Sequence, residues 1–487
     1  MRLLVLLAGC VALAAAQSVL EIAVTAGGKP TAARVYITGA GGKAYVIPGA
    51  ITYTRRSESH SIVDGSATLS LPPGHYTVCA EKGAEFERAM QPAELREGKR
   101  ARVALEIRRF HDMNAHGWYA GDLHVHREPG EMPLLMRAEE LSIAPTITRH
   151  VGDGRPERMP FPKTPGLQNQ EVERLRKGHG AVVLLNVPEP LPMNPATLFP
   201  MDVEFCRQAR RQGGFVDQEK PIWKNTPVNV ALGAVDAIGV VNNHFHPHDV
   251  MLEAETYGSM ERELPVYKTM AGFAQWMMDL YYSFLNCGFR IPASAGSASG
   301  VMASWPGYER VYVRLNGALG YREWFEGLKA GRSIATNGPL LEVSVNGKPP
   351  GAEFKPGEAR VSVEAHSQAP LERLEIVFNG EVLRSFRNIS KGAFRKNVAL
   401  EIRQPGWLAV RCFEPVTDTV RYAHTSPFYF TQDGKLPVKK SDALQWANYV
   451  RQLAQAAGVS DYPSRADYEQ AQRTYAEAER VYRRLAE

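Results

Sequence analysis

The spacing of hydrophobic and polar positions changes several times along the chain, and the changes divide it into regions. From Ser18 to Arg109, apolar and polar residues alternate in short runs that are separated by Gly and Pro. Side chains of an extended chain alternate between two faces, so this spacing predicts short strands with one buried face. The region 18–109 is therefore predicted to be a β-sandwich domain.

The region 110–340 has a different pattern, in which short apolar runs alternate with stretches of helical spacing. Two such runs are Ala181–Asn186 and Ala237–Asn242, and helices are predicted at Asp202–Gln212 and Ala271–Leu285. Runs of this kind are typical of strands that are buried on both faces. We predict an α/β unit with a parallel or mixed sheet, open or closed into a barrel, whose active site lies at the C-terminal strand ends.

Strand spacing returns at 341–430, where Asn379-Gly380 predicts a hairpin turn after the strand Leu374–Phe378. This region is predicted to be a second β-sandwich domain. The last region, 431–487, is predicted to be a C-terminal helical segment of two helices, and Ser464-Arg-Ala-Asp467 is a capping box for the second. Each helix carries an apolar stripe, and packing against the rest of the chain is the simplest interpretation of both stripes.

Residues 1–16 have the order of charged and apolar positions that is typical of a secretory signal peptide. Arg2 precedes the apolar run Leu3–Leu7, and the small residues Ala14–Ala16 end the segment. The sequence therefore predicts export to the periplasm or the medium, with a buried N-terminal strand as the alternative. Leu7-Ala-Gly-Cys10 also resembles a lipoprotein box, so a lipid anchor at its cysteine is a second alternative. No later run approaches the ~18 apolar residues of a membrane span, and no transmembrane segment is predicted.

The composition is that of an ordinary globular protein and gives no support to nucleic-acid binding. The chain has 487 residues, of which 44% are hydrophobic and 22% charged, and a formal net charge of +5. These values are ordinary for a globular chain, and the length suggests about three domains. The positive charge is spread along the chain without a Lys/Arg block, so no nucleic-acid partner is predicted. The later cysteines lie far apart without a C-x-x-C pair, which predicts buried free thiols, with one disulfide as the alternative in an exported protein.

Candidate chemistry begins with His124 and His126, in the segment Gly121–His126. Residues two apart in an extended segment share a face, so the two imidazoles are predicted to project together. Two neutral imidazoles on one face can bind one divalent cation, and the alternative is a pair that only fills a polar surface. A hydrolytic metal site also needs further ligands and a position open to water.

Further histidines, a carboxylate and a lysine follow along the same region. They are His150 in Thr148-Arg-His150, Glu171 in Gln170-Glu-Val172, His179 after Gly178, Lys220 in Glu219-Lys-Pro221, and His244 after Asn243. Structural alternatives exist for several of them. Glu171 lies among basic residues and could belong to a solvated helix face, and Lys220 could be the ion-pair partner of Asp217 or Glu219. His244 ends an apolar run, and His246 and His248 lie in the loop-like stretch that follows.

These motifs resemble those of a known family. Gly-Asp-Leu-His-Val-His at 121–126 is similar to the opening motif of the PHP (polymerase and histidinol phosphatase) superfamily, and the layout over 110–340 resembles its carbaryl-hydrolase-like (CehA/McbA) branch. The resemblance implies an α/β fold with a PHP-like distorted (β/α)7 barrel, here flanked by two β-sandwich domains and a C-terminal helical hairpin. It also implies metal ions at the strand ends and hydrolysis of an ester, amide or phosphoester bond in a small-molecule or polymer-derived substrate.

The resemblance implies a ligand set and two catalytic residues. The implied ligands of a divalent metal, zinc or manganese, are His124, His126, His150, Glu171 and His179. Lys220 stands where the family has a histidine ligand, and we expect Lys220 and His244 to assist proton transfer as catalytic residues.

Besides Lys220, three further positions depart from the family pattern. Arg149 replaces the Asp of the T-D-H segment, and Ala298 and Gly300 replace the Asp and His of the last motif, G-S-D-x-H. We therefore expect one or two metal ions rather than three. The departures keep a second hypothesis open, in which a degenerate relative binds a glycan, a peptide or a partner without turnover.

Two further features are compatible with a pocket. The Gly- and Ser-rich segment Ser294–Gly300 could present backbone N–H groups to an anion, or could simply form a turn. Four aromatic residues could line a cleft or belong to the core. They are Trp223, Trp276, Trp305 and Tyr308.

Overall fold

The computed structural model describes residues 18–55, 58–147, 149–151, 170–176, 179–189, 191, 199, 201–254 and 258–487, with the backbone alone at 55, 58, 149–151 and 170–176. The predicted signal segment 1–16 and its Cys10 lie outside the described residues. The chain divides into two compact units. The first comprises the residues up to Lys82 together with Phe86–Phe110, and the second comprises Gly83–Glu85 together with His111–Glu487.

The first unit consists of β-strands and one 3-10 turn at Ala40–Gly42. Its strands are β1 (Ser18–Ala26), β2 (Lys29–Pro30), β3 (Ala32–Thr38), β4 (Ala44–Tyr45), β5 (Thr52–Arg55), β6 (Glu58–Asp64), β7 (Ser66–Leu71), β8 (Gly74–Glu81), β9 (Ala89–Leu95) and β10 (Arg100–Glu106). They form two sheets, with the orders β10-β1-β2 and β5-β6-β3-β8-β9. In addition, β7 pairs with β1 and β4 pairs with β3.

Alternation explains why these strands are amphipathic. Leu20, Ile22 and Val24 of β1 are buried, whereas the residues between them are only partly buried. Val35 and Ile37 of β3, from the other sheet, belong to the same hydrophobic core. The first unit is therefore held together by one apolar layer to which both sheets contribute.

The second unit contains the remaining strands and all the α-helices of the described residues. Its strands are β11 (Trp118–Gly121), β12 (Arg149–Val151), β13 (Gln170–Arg176), β14 (Gly180–Val187), β15 (Phe215–Gln218), β16 (Ala237–Asn242), β17 (Phe245–His246), β18 (Asp249–Val250), β19 (Ala293–Gly296), β20 (Arg310–Arg314), β21 (Ser333–Thr336), β22 (Leu340–Val345), β23 (Glu353–Phe354), β24 (Gly357–Ser367), β25 (Leu371–Phe378), β26 (Glu381–Ile389), β27 (Gly392–Ile402), β28 (Gly406–Phe413), β29 (Tyr422–Thr425) and β30 (Phe428–Phe430).

The helices lie between and after these strands. The α-helices are α1 (Met132–Glu139), α2 (Asp202–Arg211), α3 (Thr226–Ala231), α4 (Met270–Asn286), α5 (Tyr321–Lys329), α6 (Lys440–Ala456) and α7 (Arg465–Ala486), and short 3-10 turns cover Asn114–His116, Pro265–Lys268 and Val459–Asp461. The protein is thus a mixed α/β structure with strands in several sheets. Among the described residues, none of the helices combines the length and the apolar character that crossing a membrane requires.

Three large sheets organise the second unit. A six-stranded sheet has the order β12-β13-β14-β15-β16-β19, in which β15, β16 and β19 run parallel and β14 runs antiparallel to both of its neighbours. A nine-stranded sheet has the main order β11-β20-β21-β29-β28-β25-β26, with β30 beside β28 and β23 beside β30. A three-stranded sheet has the order β22-β24-β27. The nine-stranded sheet therefore takes strands from both sides of residue 340.

The C-terminal helices pack onto the body of the second unit, as their apolar stripes predict. Trp446 of α6 and Tyr475 of α7 belong to the same hydrophobic core as the strands of the six-stranded sheet. Tyr482 is buried in that core and donates a hydrogen bond to the carbonyl of Pro227 at 2.8 Å. Ser464 caps α7 by accepting a hydrogen bond from the backbone N–H of Asp467, which confirms the predicted helix start at Ser464.

The cysteines in the described residues follow the prediction of free thiols. Cys79, Cys206, Cys287 and Cys412 are all buried and unpaired with one another. The alternative of one disulfide is therefore wrong for this set. Burial in apolar surroundings raises the pKa of the Cys287 thiol to about 12, so this thiol stays protonated at neutral pH.

Candidate functional site

The segment 121–126 lies extended between two other segments, and hydrogen bonds on both sides fix its orientation. On one side, the backbone N–H of His126 donates to the carbonyl of Ser299 at 2.7 Å. On the other side, the N–H of Ile147 donates to the carbonyl of Val125 at 2.7 Å. Val125 is fully buried. Because neighbouring side chains of an extended chain alternate, the two histidines of the segment lie on the opposite face from Val125.

His124 and His126 face each other on that side. Their Nε2 atoms are 2.9 Å apart, and both side chains are buried. The prediction that the two imidazoles project together is therefore confirmed. Two nitrogen lone pairs repel each other at this distance, so a proton or a cation is required between them.

Glu219 fixes the tautomer of His124. Its Oε2 atom lies 3.3 Å from His124 Nδ1, and both side chains are almost completely buried. A carboxylate oxygen can only accept, so Nδ1 carries the hydrogen and Nε2 of His124 keeps its lone pair. That lone pair is directed at His126. A carboxylate behind an imidazole is the arrangement that orients histidine ligands in many metal sites.

Lys220 completes the group. Its Nζ atom donates to the same oxygen of Glu219, and it lies 4.8 Å from the centre of the Trp223 ring. Lys220 is only 3% exposed, so its charge is compensated within the protein. The prediction that Lys220 could be the ion-pair partner of Glu219 is confirmed. We call His126, His124, Glu219 and Lys220 the buried histidine chain.

Asp122 fixes the backbone around the buried histidine chain. Its Oδ1 atom accepts hydrogen bonds from the backbone N–H groups of His124 and Ser297, at 3.1 and 3.0 Å. Its Oδ2 atom accepts from the Ser297 hydroxyl at 2.5 Å and from the N–H of Gly307 at 2.7 Å. Burial raises the pKa of Asp122, and these hydrogen bonds oppose that effect. Both carboxylate oxygens of Asp122 accept hydrogen bonds from nearby backbone or hydroxyl groups, so Asp122 is a positioning residue.

Asp217 is a second buried carboxylate close to this group. It lies on β15, two residues before Glu219, and it accepts a hydrogen bond from the Ser294 hydroxyl at 2.5 Å. Burial raises the pKa of Asp217 to about 7. The hydrogen bond from Ser294 and the charge of protonated His124 act to lower this pKa. Glu219 adds a repulsive charge that raises this pKa further. The carboxylate therefore lies in a dry environment next to the imidazoles.

His244 lies in the turn two residues after the end of β16 and has a defined tautomer. Its Nδ1 atom lies 2.9 Å from the carbonyl oxygen of Met251, so Nδ1 carries the hydrogen and Nε2 carries the lone pair. The ring stacks on Phe273 at 5.7 Å and meets the edge of Trp223 at 6.0 Å. Burial lowers the pKa of His244 well below its usual value, and the charge of Lys220 lowers it further. His244 is thus a neutral imidazole at neutral pH.

The predicted ligands are described to different extents. His179 is partly buried, and the adjacent Gly180 contacts Trp223 so closely that a Cβ atom there would lie 2.2 Å from the ring. His150 lies on β12 and Glu171 on the neighbouring β13, and the side chains of both lie outside the described residues. The structure thus brings His124, His126 and Lys220 together. Trp223 connects Lys220 with His244 and with the strand that begins beside His179.

The segment Ser294–Gly300 packs against the two histidines. A Cβ atom at Gly296 would lie 2.5 Å from His124 Cβ, and one at Gly300 would lie 2.7 Å from the carbonyl oxygen of His126. Gly300 has a φ angle of +102°, which L side chains rarely adopt. Close approach and turn formation therefore account for these glycines. The Ser297 hydroxyl is bonded to Asp122, so it already serves the turn.

The predicted aromatic residues are mostly part of the core. Trp223, Trp276 and Tyr308 are buried, and Trp305 is partly buried with its ring 5.1 Å from that of Tyr308. The interpretation as core residues is confirmed for the first three. Trp223 has an additional role, because it covers the ammonium group of Lys220.

Sequence reasoning did not select several residues that the structure places near the site. Glu219 was considered only as an ion-pair partner, although its position directly after a buried strand and before a lysine was a usable signal. Glu309 is fully buried and accepts a hydrogen bond from the Ser304 hydroxyl at 2.9 Å. Burial raises the pKa of Glu309 well above its usual value, and the charge of Asp122 adds to the effect. No local pattern marks Glu309 as different from a surface glutamate.

Comparisons with known proteins identify no family for the chain. No protein-family model matches it, and no curated protein matches it. Among the solved structures with a match is one described as "The Bacillus anthracis TIE protein", with 9% sequence identity and a TM-score of 0.14. The match covers 86% of this chain and 49% of that one, so the chain spans about half the length of the matched structure. A similarity of this size does not indicate a shared fold.

Proposed function

We propose that the chain is an exported, metal-dependent hydrolase with a PHP-like barrel, acting on an ester, amide or phosphoester bond of a small-molecule or polymer-derived substrate. The observation that carries the proposal is the buried histidine chain. It places two imidazole nitrogens face to face in a dry environment, and its carboxylate fixes one tautomer. Buried histidines that serve only packing do not require this combination.

The contacts of the segment 121–126 are compatible with a barrel. The segment bonds to β19 at one edge of the six-stranded sheet and to residues 143–147, which lead into β12 at the other edge. In a (β/α)7 barrel a strand in this position would join the two edges. The histidines of the segment then lie among the strand ends, where such folds place their active sites.

The donor set fits a divalent ion such as zinc or manganese. Two zinc–nitrogen bonds of ordinary length at a tetrahedral angle separate the nitrogens by about 3.3 Å. The Nε2 atoms of His124 and His126 are 2.9 Å apart, so a small rotation of either ring admits the ion. His150, Glu171 and His179 would supply the remaining ligands to one or two ions. When bound, such an ion polarises the bond to be cleaved and activates water.

Two side chains of the protein have the properties that proton transfer and substrate orientation need. Met251 holds the hydrogen of His244 on Nδ1, so Nε2 presents a lone pair to a proton, although burial lowers the pKa of His244 and weakens it as a base. Lys220 holds a positive charge in a dry site, where it attracts a negatively charged group of a substrate more strongly than in water. Trp223 contacts both residues and excludes water from the space between them.

A second candidate function is binding without turnover. Two observations favour it: Gly300 stands at the position of a family ligand and lies against the backbone of His126, and Lys220 is already paired with Glu219. Under this hypothesis, the chain retains the fold and binds a glycan, a peptide or another partner. Metal content and hydrolysis distinguish the two candidates.

Metal analysis tests the proposal. We would purify the wild-type chain, His124→Ala/His126→Ala and His126→Gln from zinc- and manganese-supplemented cultures, with His75→Ala as a surface control. We expect the first two variants to lose bound metal relative to the wild type and the control to keep it. Equal metal content in the wild type and both site variants would contradict a metal at this site.

Activity and location are tested separately. Chromogenic ester, amide and phosphoester substrates, with and without a chelator, report hydrolysis by the wild-type protein. Metal binding without turnover of any of these bonds would favour the binding protein over the hydrolase. Cell fractionation checks export, because we expect a shortened chain outside the cytoplasm. A full-length chain retained in the cytoplasm would contradict export.

A further inference from the structure

A second group of histidines and carboxylates lies elsewhere in the second unit. His111 and His116 precede β11, Glu342 lies on β22, and Glu364 and His366 lie on β24. We call these five residues the histidine–glutamate cluster. Neither the resemblance nor the proposed function uses any of them.

Short contacts connect the members of the cluster. The Oε1 atom of Glu342 lies 2.7 Å from His111 Nε2 and 2.8 Å from His116 Nδ1, so two imidazoles converge on one carboxylate oxygen. The ring of His111 stacks on that of His366 with the ring centres 3.8 Å apart. His366 Nε2 in turn lies 2.6 Å from Glu364 Oε1.

These contacts give two sets of three donor atoms. In one set, His111, His116 and Glu342 place one ligand atom each within 4.8 Å of the others. In the other set, His111, Glu364 and His366 do the same. The two sets share His111 but are separate groupings, and only in the set of His111, His116 and Glu342 do two imidazoles converge on one carboxylate oxygen. Imidazole nitrogen together with carboxylate oxygen is a donor set that suits zinc and its neighbours in the periodic table.

The charges of the cluster favour a cation. Glu342 and Glu364 lie directly opposite each other in the pairing of β22 with β24, and like charges in that position repel. Arg395 compensates Glu364 at 2.6 Å, whereas the ion-pair partners of Glu342 are the imidazoles of His111 and His116. A divalent ion next to Glu342 would remove the remaining repulsion.

We propose that the histidine–glutamate cluster is a binding site for one divalent transition-metal ion of the zinc type, separate from the buried histidine chain. His111, His116 and Glu342 are the ligands, and His366, which stacks on His111, lies beside the site together with Glu364. The ion fastens the segment 111–116 to the sheet β22-β24-β27, so its role is structural. Cross-linking of this kind stabilises the folded chain because the ligands are brought together only on folding.

Titration with Zn²⁺ tests the proposal on the full chain. We would compare the wild type with Glu342→Gln and His116→Ala, and with His75→Ala as the surface control. His116 is on the surface and Glu342→Gln preserves size, so both variants are expected to fold. We expect each to bind one equivalent of Zn²⁺ fewer than the wild type at micromolar metal. The affinity at this site should fall more than about 100-fold, since residues that merely orient ligands already contribute 10–100-fold.

Two further readouts decide the outcome. Zn²⁺ should raise the melting temperature of the wild type and of His75→Ala, and should raise it less in the two cluster variants. The visible absorption of Co²⁺ should lose the band of this site in the same two variants. Unchanged stoichiometry and an unchanged Zn²⁺-dependent shift in both cluster variants would overturn the proposal. The variant His124→Ala/His126→Ala is expected to keep the equivalent of Zn²⁺ that binds at the histidine–glutamate cluster. Absence of metal at the buried histidine chain would therefore not contradict a metal at the cluster.

Discussion

The buried histidine chain and the histidine–glutamate cluster combine the same residue types in opposite surroundings. In the first, Glu219 is 5% exposed and its charge is shared between an imidazole and the ammonium of Lys220. In the second, the side chain of His116 is 47% exposed, and Glu342 pairs with the imidazoles of His111 and His116. The first group is assembled from the segment 121–126 and the residues after β15. The second is assembled from the paired strands β22 and β24 and the segment 111–116, which precedes β11.

This difference has an energetic consequence. A charge in a dry site must be compensated by the protein itself, because water cannot solvate it. Each member of the buried histidine chain is therefore expected to be coupled strongly to its neighbours. Water reaches the half-exposed His116 at the edge of the histidine–glutamate cluster and screens its contact with Glu342, so removal of this one imidazole is expected to cost little. The predictions below follow from this contrast.

The largest effect is expected for Lys220→Met. The substitution removes the ammonium and leaves the carboxylate of Glu219 buried without its cation. We expect the free energy of unfolding of the second unit to fall by about 3–5 kcal/mol, which is typical of a broken buried pair. Urea unfolding followed by fluorescence measures the change.

The double variant Lys220→Met/Glu219→Gln is the matched control. It removes both charges, so most of the lost stability should return. A double variant as unstable as Lys220→Met would show that the packing of the lysine, rather than its charge, stabilises the site. The contrast with the half-exposed His116 would then lose its physical basis.

A smaller effect is expected for Gly300→Ala. The substitution forces a side chain onto a φ angle of +102° and places its Cβ atom 2.7 Å from the carbonyl oxygen of His126. Backbone strain of this kind costs about 1–3 kcal/mol, and the close contact adds to it. Thermal unfolding measures the loss. Gly392→Ala is the control, because Gly392 has a φ angle of +107° with no atom within 4 Å of the added Cβ. Equal losses in the two variants would contradict tight packing around His126.

The smallest effect is expected for His116→Ala in metal-free protein. His116 is largely exposed and contributes one hydrogen bond to Glu342. We expect a change of less than about 1 kcal/mol in the free energy of unfolding, as for other surface contacts. Chelator-treated protein in a urea titration measures it. A loss as large as that of Lys220→Met would show that solvent does not screen the cluster.

Local patterns predicted much of the secondary structure. Helices predicted at Asp202–Gln212 and Ala271–Leu285 are observed as α2 and α4, within one residue at each end. Asn379-Gly380 forms the two-residue turn between β25 and β26, with positive φ at both positions. In each of these cases the signal lies within a few consecutive residues. The pairing of His124 with His126 is predictable for the same reason, since strand alternation alone determines it.

The rest depends on contacts between residues that are distant in the sequence. Glu219 reaches His124 only because the fold brings the end of β15 beside the segment 121–126. Glu342 and Glu364 meet through the register of β22 with β24, and a shift of one residue would separate them. The spacing of His111 and His116 gives no sign of a shared partner more than two hundred residues later. Neither hydrophobic spacing nor motif similarity encodes such registers.

The nine-stranded sheet has a consequence for how the chain can be divided. β21 ends at Thr336 and pairs with β29, which begins at Tyr422. A protein truncated at residue 340 would expose that edge of β21 to solvent, and a bare edge invites intermolecular association. The region with the buried histidine chain is therefore expected to need the later strands for solubility. In recombination between related genes, the segment that contains β21 and the segment that contains β29 would have to be inherited together.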